Sequence, residues 1–182
     1  APLMKRAVLM SISLYDATVT NYLQVLNSTA AVLGKGKSFC EENGIDLSAI
    51  VETRLIEDMS PFQFQVISVV HHSLGALQGL ETGEFAPPAG YGDLDYVGLQ
   101  DLVNQAVSQV GSFDAETVNG WAGKTLTFKL GSNEIPFTAE NYVLSFSLPN
   151  VYFHATTTYD VLRMKGVPLG KRDFLGAMRM GV

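Results

Sequence analysis

The chain has 182 residues, enough for a single domain that buries roughly 70% of its unfolded surface and needs no disulfide or structural metal to hold it together. Hydrophobic residues make up 47% and charged residues 16% of it, which excludes intrinsic disorder. The net charge of -6 and the pI of 4.9 argue against nucleic acid as a partner, because a phosphate backbone requires a basic face.

The opening Ala1-Pro2-Leu3-Met4-Lys5-Arg6 and the short apolar run to Leu14 resemble a signal peptide. No small-residue cleavage pattern follows, so the stretch is expected to be the ordered or frayed N-terminus of a cytoplasmic protein. Cys40, the only cysteine, excludes an internal disulfide and fits a reducing compartment; its expected role is packing near a helix end. No apolar run reaches the ~20 residues of a membrane span, and no membrane partner is expected.

Val19, Tyr22, Leu23, Leu26, Ala30 and Leu33 recur at helical spacing, which predicts a first helix from about Ser13 to about Asn43, closed by Gly44. A short helical turn across Leu47 to Leu55 follows. Ser60-Pro61-Phe62-Gln63 reads as a capping box with proline in the first helical position, starting a second helix that runs through His71 and His72 to about Glu81. Gly83 to Asp93 holds Pro87, Pro88, Gly90 and Gly92 and reads as a loop. Asp95 then caps a third helix carrying Leu99, Leu102, Val103, Ala106, Val110 and Phe113. Alternation across Leu126, Phe128 and Leu130, a turn at Gly131-Ser132-Asn133, and Ile135 and Phe137 predict a hairpin. Trp121, just before it, is expected to plug the third helix against the sheet. Thr138 caps a fourth helix, interrupted or kinked at Pro149 and ending at Gly166. With no βαβ alternation, residues 1–182 are expected to form one all-α domain, a four-helix bundle with a β-hairpin between helices three and four.

Chemistry concentrates on the histidines. Val151, Ala155, Thr158 and Leu162 share one stripe of the fourth helix, and His154 lies beside it, which points its ring into the bundle. On the second helix His72 flanks the core stripe near Gln65 and Ala76, whereas His71 points further away, so His72 is expected to face His154. The plainer alternative is a pair of core histidines bonded to a threonine or a backbone carbonyl. A metal site would need at least three ligands, and Asn150 and Thr158 occupy the positions four residues either side of His154, so no metal or other cofactor is expected. Acid–base work by His72 or His154, or simple ligand binding, remains open. Asp16, Tyr22, Tyr152, Thr158 and Tyr159 are candidate substrate-binding residues near the bundle mouth, with tyrosine packing as the alternative role. Arg163, Lys165, Lys171 and Arg172 form a basic cluster that complements a helix C-terminus, or else receives a carboxylate.

Ser11-Ile12-Ser13-Leu14-Tyr15-Asp16, Arg54-Leu55-Ile56-Glu57-Asp58-Met59 and above all Pro149 to Gly176 resemble an uncharacterised family of the DinB/YfiT-like superfamily, the domain of unknown function nineteen-ninety-three. The last block carries Asn150, Tyr152, Phe153, His154, Thr157, Tyr159, Leu162, Arg163, Gly166-Val167-Pro168-Leu169-Gly170-Lys171 and Asp173-Phe174-Leu175-Gly176. The resemblance implies a four-helix bundle, a homodimer, and kinship with metal-dependent thiol S-transferases and isomerases. Those enzymes use one histidine on helix two and an H-x-x-x-H pair on the last helix. His72 matches the first and His154 one of the pair, while the second of the pair is missing. The expected function is therefore binding of a small, largely apolar organic molecule, with His72 and His154 catalysing a cofactor-independent isomerisation, cyclisation or elimination. The alternatives are a divalent-metal thiol transferase or isomerase of the DinB type and a non-enzymatic dimeric binding protein.

Overall fold

A computed structural model describes residues 12–88 and 90–181. The stretch compared above with a signal peptide lies outside them up to residue 11. The first helix begins at Leu14, where Ser13 and Asp16 cap each other: Asp16 N–H donates to Ser13 Oγ at 3.0 Å and Ser13 Oγ–H to the Asp16 carboxylate at 2.7 Å. After a π-helical turn at Asp16–Thr20 it continues as α1, Asn21–Glu42, and Gly44 leaves it at φ 65°. The short α2, Leu47–Val51, is capped by Asp46.

Helix α3 spans Phe62–Thr82. The expected Ser60–Gln63 capping box does not form, because Pro61 occupies the cap position one residue later and has no side-chain acceptor to offer. Gln63 instead donates from Nε2 to Leu94 O at 3.1 Å, and Gln65 Nε2 donates to Ser60 O at 3.0 Å. At the other end Gly83 turns at φ 81°, and β1, Glu84–Phe85, folds back over Gly79, where an added Cβ would lie 3.1 Å from Glu84 O.

Helix α4, Tyr96–Val110, starts at the predicted cap: the Asp95 carboxylate accepts from Gly98 N–H. The short α5, Ala115–Asn119, carries no periodicity long enough to predict. Strands β2, Thr125–Leu130, and β3, Asn133–Thr138, pair antiparallel as the hairpin pattern requires. The sheet is nevertheless three-stranded, since β1 pairs parallel to β2 through Glu84↔Thr127 and Phe85↔Phe128. Trp121 is buried with its ring edge-on to Phe113.

Thr138 caps α6, Ala139–Tyr142, by accepting from Asn141 N–H. A π-helical turn, Val143–Ser147, carries the chain into α7, Leu148–Met164. The irregularity expected at Pro149 therefore sits just before it. Proline falls in the first turn of α7, where its missing N–H costs least. Helix α8, Lys171–Leu175, and the residues after it lie along α1, held by Gln24 Nε2 to Leu175 O at 2.9 Å. The protein is mostly helical with a small sheet at one side. Helices α3 and α7 pack closely, α4 packs on both α1 and α3, and α7 also contacts α1. Among the described residues no helix is long and apolar enough to cross a membrane.

Candidate functional site

His72 on α3 and His154 on α7 meet where these two helices pack. Their rings are parallel within 7° with centroids 5.6 Å apart, an offset stack. The expected stripe holds: Val151, Ala155, Thr158 and Leu162 are buried, and His154 is buried beside them. His154 Nδ1 lies 2.8 Å from Gln65 Oε1. Because the Gln65 amide nitrogen already donates to Ser60 O, its oxygen is the free acceptor, so the proton of neutral His154 sits on Nδ1 and Nε2 carries the lone pair.

His72 has the opposite arrangement. Its Nδ1 is sealed from solvent with no hydrogen-bond partner among the described residues. A sealed N–H is less tolerable than a sealed lone pair, so the His72 proton belongs on Nε2. Two other contacts hold this part of α3. Ser147 Oγ–H donates to His72 O at 2.7 Å, which leaves the Tyr22 hydroxyl to donate to Ser147 Oγ. His71 turns its ring onto Phe85, centroids 4.6 Å apart, and its Nε2–H donates to Ala86 O at 2.9 Å. Gly75 leaves room for that rotamer, since a Cβ there would lie 3.1 Å from His71 Nδ1. His71 thus faces away from His154 as expected, yet its ring stands edge-on to His72 at 5.4 Å.

Burial keeps all three imidazoles neutral. It pushes His72 down to about 3, helped by the proximity of His71 and His154, and His154 down to about 4. His71 is lowered by burial against the opposing bond to Ala86. Aromatic rings surround the pair. Phe85 and Phe146 lie against His72 at 5.8 and 5.5 Å, and Phe64 and Phe153 stand edge-on to His154 at 5.8 and 5.2 Å. Phe64 and Phe153 are 44% and 56% exposed, so they form the outer rim of the site.

None of the other residues singled out in the sequence bonds either imidazole ring, although Thr158 and, through Ser147, Tyr22 reach the backbone carbonyls of the pair. Asp16 caps the first helix, Tyr22 is fully buried on Ser147, and Thr158 Oγ–H donates to the His154 carbonyl. Tyr159 reaches Leu169 O at 3.4 Å, and Tyr152 is exposed on the outer face of α7. Arg163 of the basic cluster spends an N–H on Val167 O. Gln65, Ser147 and Phe85 were not predicted and do more for the histidines than any of these. The one sequence signal for Gln65 is its position seven residues before His72, on the same helical stripe.

A DinB-type metal centre does not fit these side chains. Asn150 and Thr158, at the positions of the missing ligand, are committed to Phe146 O and His154 O, and Gln65 takes His154 Nδ1. Among the described residues no three His, Cys, Asp or Glu side chains are grouped to hold an ion.

The comparisons with known proteins agree on the fold. A crystal structure of a DinB family member protein from Shewanella denitrificans superposes with a TM-score of 0.78 at 25% sequence identity, covering 93% of this chain and 95% of that one. No curated protein matches the sequence. A family model described as a domain of unknown function, DUF1993, matches residues 14–175, nearly the whole length and both histidine-bearing helices, and the chain belongs to that family.

Proposed function

We propose that the protein is a cofactor-independent proton-transfer catalyst, an isomerase or lyase, acting on an uncharged, largely apolar carbonyl compound bound at the rim of a DinB-type four-helix bundle. The supporting observation is the opposite protonation of two parallel histidines. Gln65 on His154 Nδ1 leaves the lone pair on His154 Nε2, and the Nδ1 of His72, sealed and unpartnered among the described residues, leaves its proton on Nε2, so the pair offers one neutral base and one neutral donor. In this reading His154 Nε2 removes a proton from the carbon beside the carbonyl and becomes the imidazolium, while His72 Nε2–H keeps its proton and hydrogen-bonds the oxygen of the enolate that forms. Return of the proton from His154 to the opposite face of the same carbon, or to the γ-carbon of a β,γ-unsaturated substrate, completes an isomerisation with no net change in electrons. A neutral imidazole suits the donor role, as it polarises a carbonyl without giving up its own proton.

A second reading, a non-enzymatic binding protein, is favoured by the low basicity of the pair, since a group that protonates near pH 4 is a weak base at neutral pH. Exchange in heavy water separates the two. Wild-type protein incubated with phenylacetone and other apolar ketones is expected to catalyse uptake of deuterium at the α-carbon, read by mass spectrometry. His154→Ala and His72→Ala are each expected to lose about a hundredfold or more of that rate. Equal exchange by wild type and both variants would leave binding as the function.

A further inference from the structure

The chain has ten phenylalanines, all among the described residues, and only Phe64 and Phe153 are exposed. Both stand against one imidazole, that of His154, at 72° and 90° to its plane. An exposed phenyl ring forgoes the burial that the other eight obtain, so a pair of them on one side chain is not explained by the packing of the chain alone. They reach His154 from different helices, Phe64 from α3 beside the Gln65 that bonds Nδ1, and Phe153 from α7 as the neighbour of His154 itself. The packing that fixes the base therefore fixes both rings around it. Neither ring stacks face to face on the imidazole, so each keeps surface for a further aromatic contact at the usual separation of roughly 4.5–7 Å. Among the described residues no charged side chain is bonded to either histidine of the pair.

We infer that Phe64 and Phe153 grip an aromatic ring carried on the reacting carbon, so that the substrate is an α-aryl ketone. The inference rests on the proton-transfer reading and narrows its uncharged carbonyl compound to one class. His72 takes the carbonyl oxygen and the two rings flank His154, so the aryl group belongs on the carbon that His154 deprotonates and not on the far side of the carbonyl. The chemistry supports the same placement. Burial leaves His154 a weak base that protonates near pH 4, and a weak base needs an acidic carbon. An aryl group on that carbon supplies the acidity, because the charge of the enolate spreads into the ring. A saturated ring of the same size offers similar apolar area without the conjugation and without the aromatic contacts.

The test compares phenylacetone with cyclohexylacetone, which differ only in the ring. NMR titration is expected to show phenylacetone binding more tightly by on the order of tenfold, with Overhauser contacts from its ring protons to both Phe64 and Phe153. Phe64→Leu and Phe153→Leu keep an apolar side chain and should each shrink the preference, the double variant should abolish it, and Phe153→Trp should retain it. Equal affinities for the two ketones, a preference that survives in the double variant, or no binding of either ketone would overturn the proposal. So would a dimer that Phe64→Ser and Phe153→Ser dissociate in sedimentation, since the rings would then be an interface between copies. None of these measurements uses the exchange reaction. Selective binding without exchange would remove the proton-transfer reading alone, and exchange without a ring preference would remove the α-aryl class alone.

Discussion

The amide of Gln65 decides which nitrogen of His154 holds the proton, and it does so without a charge. Replacing it by a carboxylate puts a negative charge against Nδ1–H and removes the N–H that Gln65 donates to Ser60 O. Gln65→Glu should raise the His154 pKa well above its value of about 4, because an anion on Nδ1–H favours the imidazolium. An NMR titration showing no rise would mean that the two side chains are not bonded. Tyr142 offers a second test at this scale: its buried hydroxyl has no partner among the described residues, so Tyr142→Phe should stabilise the protein by about 1 kcal/mol in urea melts. The inward direction of His154 was legible in the sequence, because helical geometry fixes where a Cβ points. Its partner was not. A buried glutamine adds nothing to an apolar pattern, and only the packing of α3 on α7 brings it to the ring. The path of His71 was hidden for the same reason, since Phe85 and Ala86 come from beyond the end of its own helix.

Two helix starts were readable from a capping side chain, at Asp95 and Thr138, whereas the Asp114 cap of the short α5 went unread because no periodic run follows it. Ser60 misled because Pro61 takes the boundary one position later. Strand β1 escaped notice because two residues carry no alternation, and its partner Thr127 lies far along the chain. The contact of α1 with α4 and α7 depends on Gly36, where a methyl group would collide with the Tyr96 hydroxyl and lie 3.1 Å from Leu162. Gly36→Ala is expected to destabilise by about 1–3 kcal/mol through overpacking. Tyr96→Phe alone should cost about 1 kcal/mol by losing its bond to Leu33 O. Combined with Gly36→Ala it should cost less than the sum, because it removes the atom that the methyl meets. Additive denaturation energies would place the strain elsewhere.

For the molecule as a whole, the neutral histidines couple folding to pH. All three have pKa values lowered from 6.5 in the folded state, so below 6.5 the unfolded chain binds protons that the native protein refuses. Stability is therefore full above pH 6.5 and falls as pH drops toward about 4, by up to about 1.4 kcal/mol per pH unit for each histidine. The lowered carboxylates Asp46, Asp114 and Asp173 act in the same direction but titrate below their ordinary value of 3.8. Urea midpoints between pH 7 and pH 5 thus report the histidines, and a flat profile there would contradict their burial. The mostly helical class was legible from periodicity, whereas the small sheet was only half legible. That sheet also has a kinetic consequence. Joining β1 to β2 closes the span from Glu84 to Thr127 around α4 and α5, and a two-residue edge strand has so few contacts of its own that it opens at less cost than the packed helices. The Thr127 amide, bonded to Gly83 O, should exchange with heavy water faster than the amides in the middle of α3, and as Phe85 leaves with β1 the histidine pair would lose its inner wall before the helices come apart.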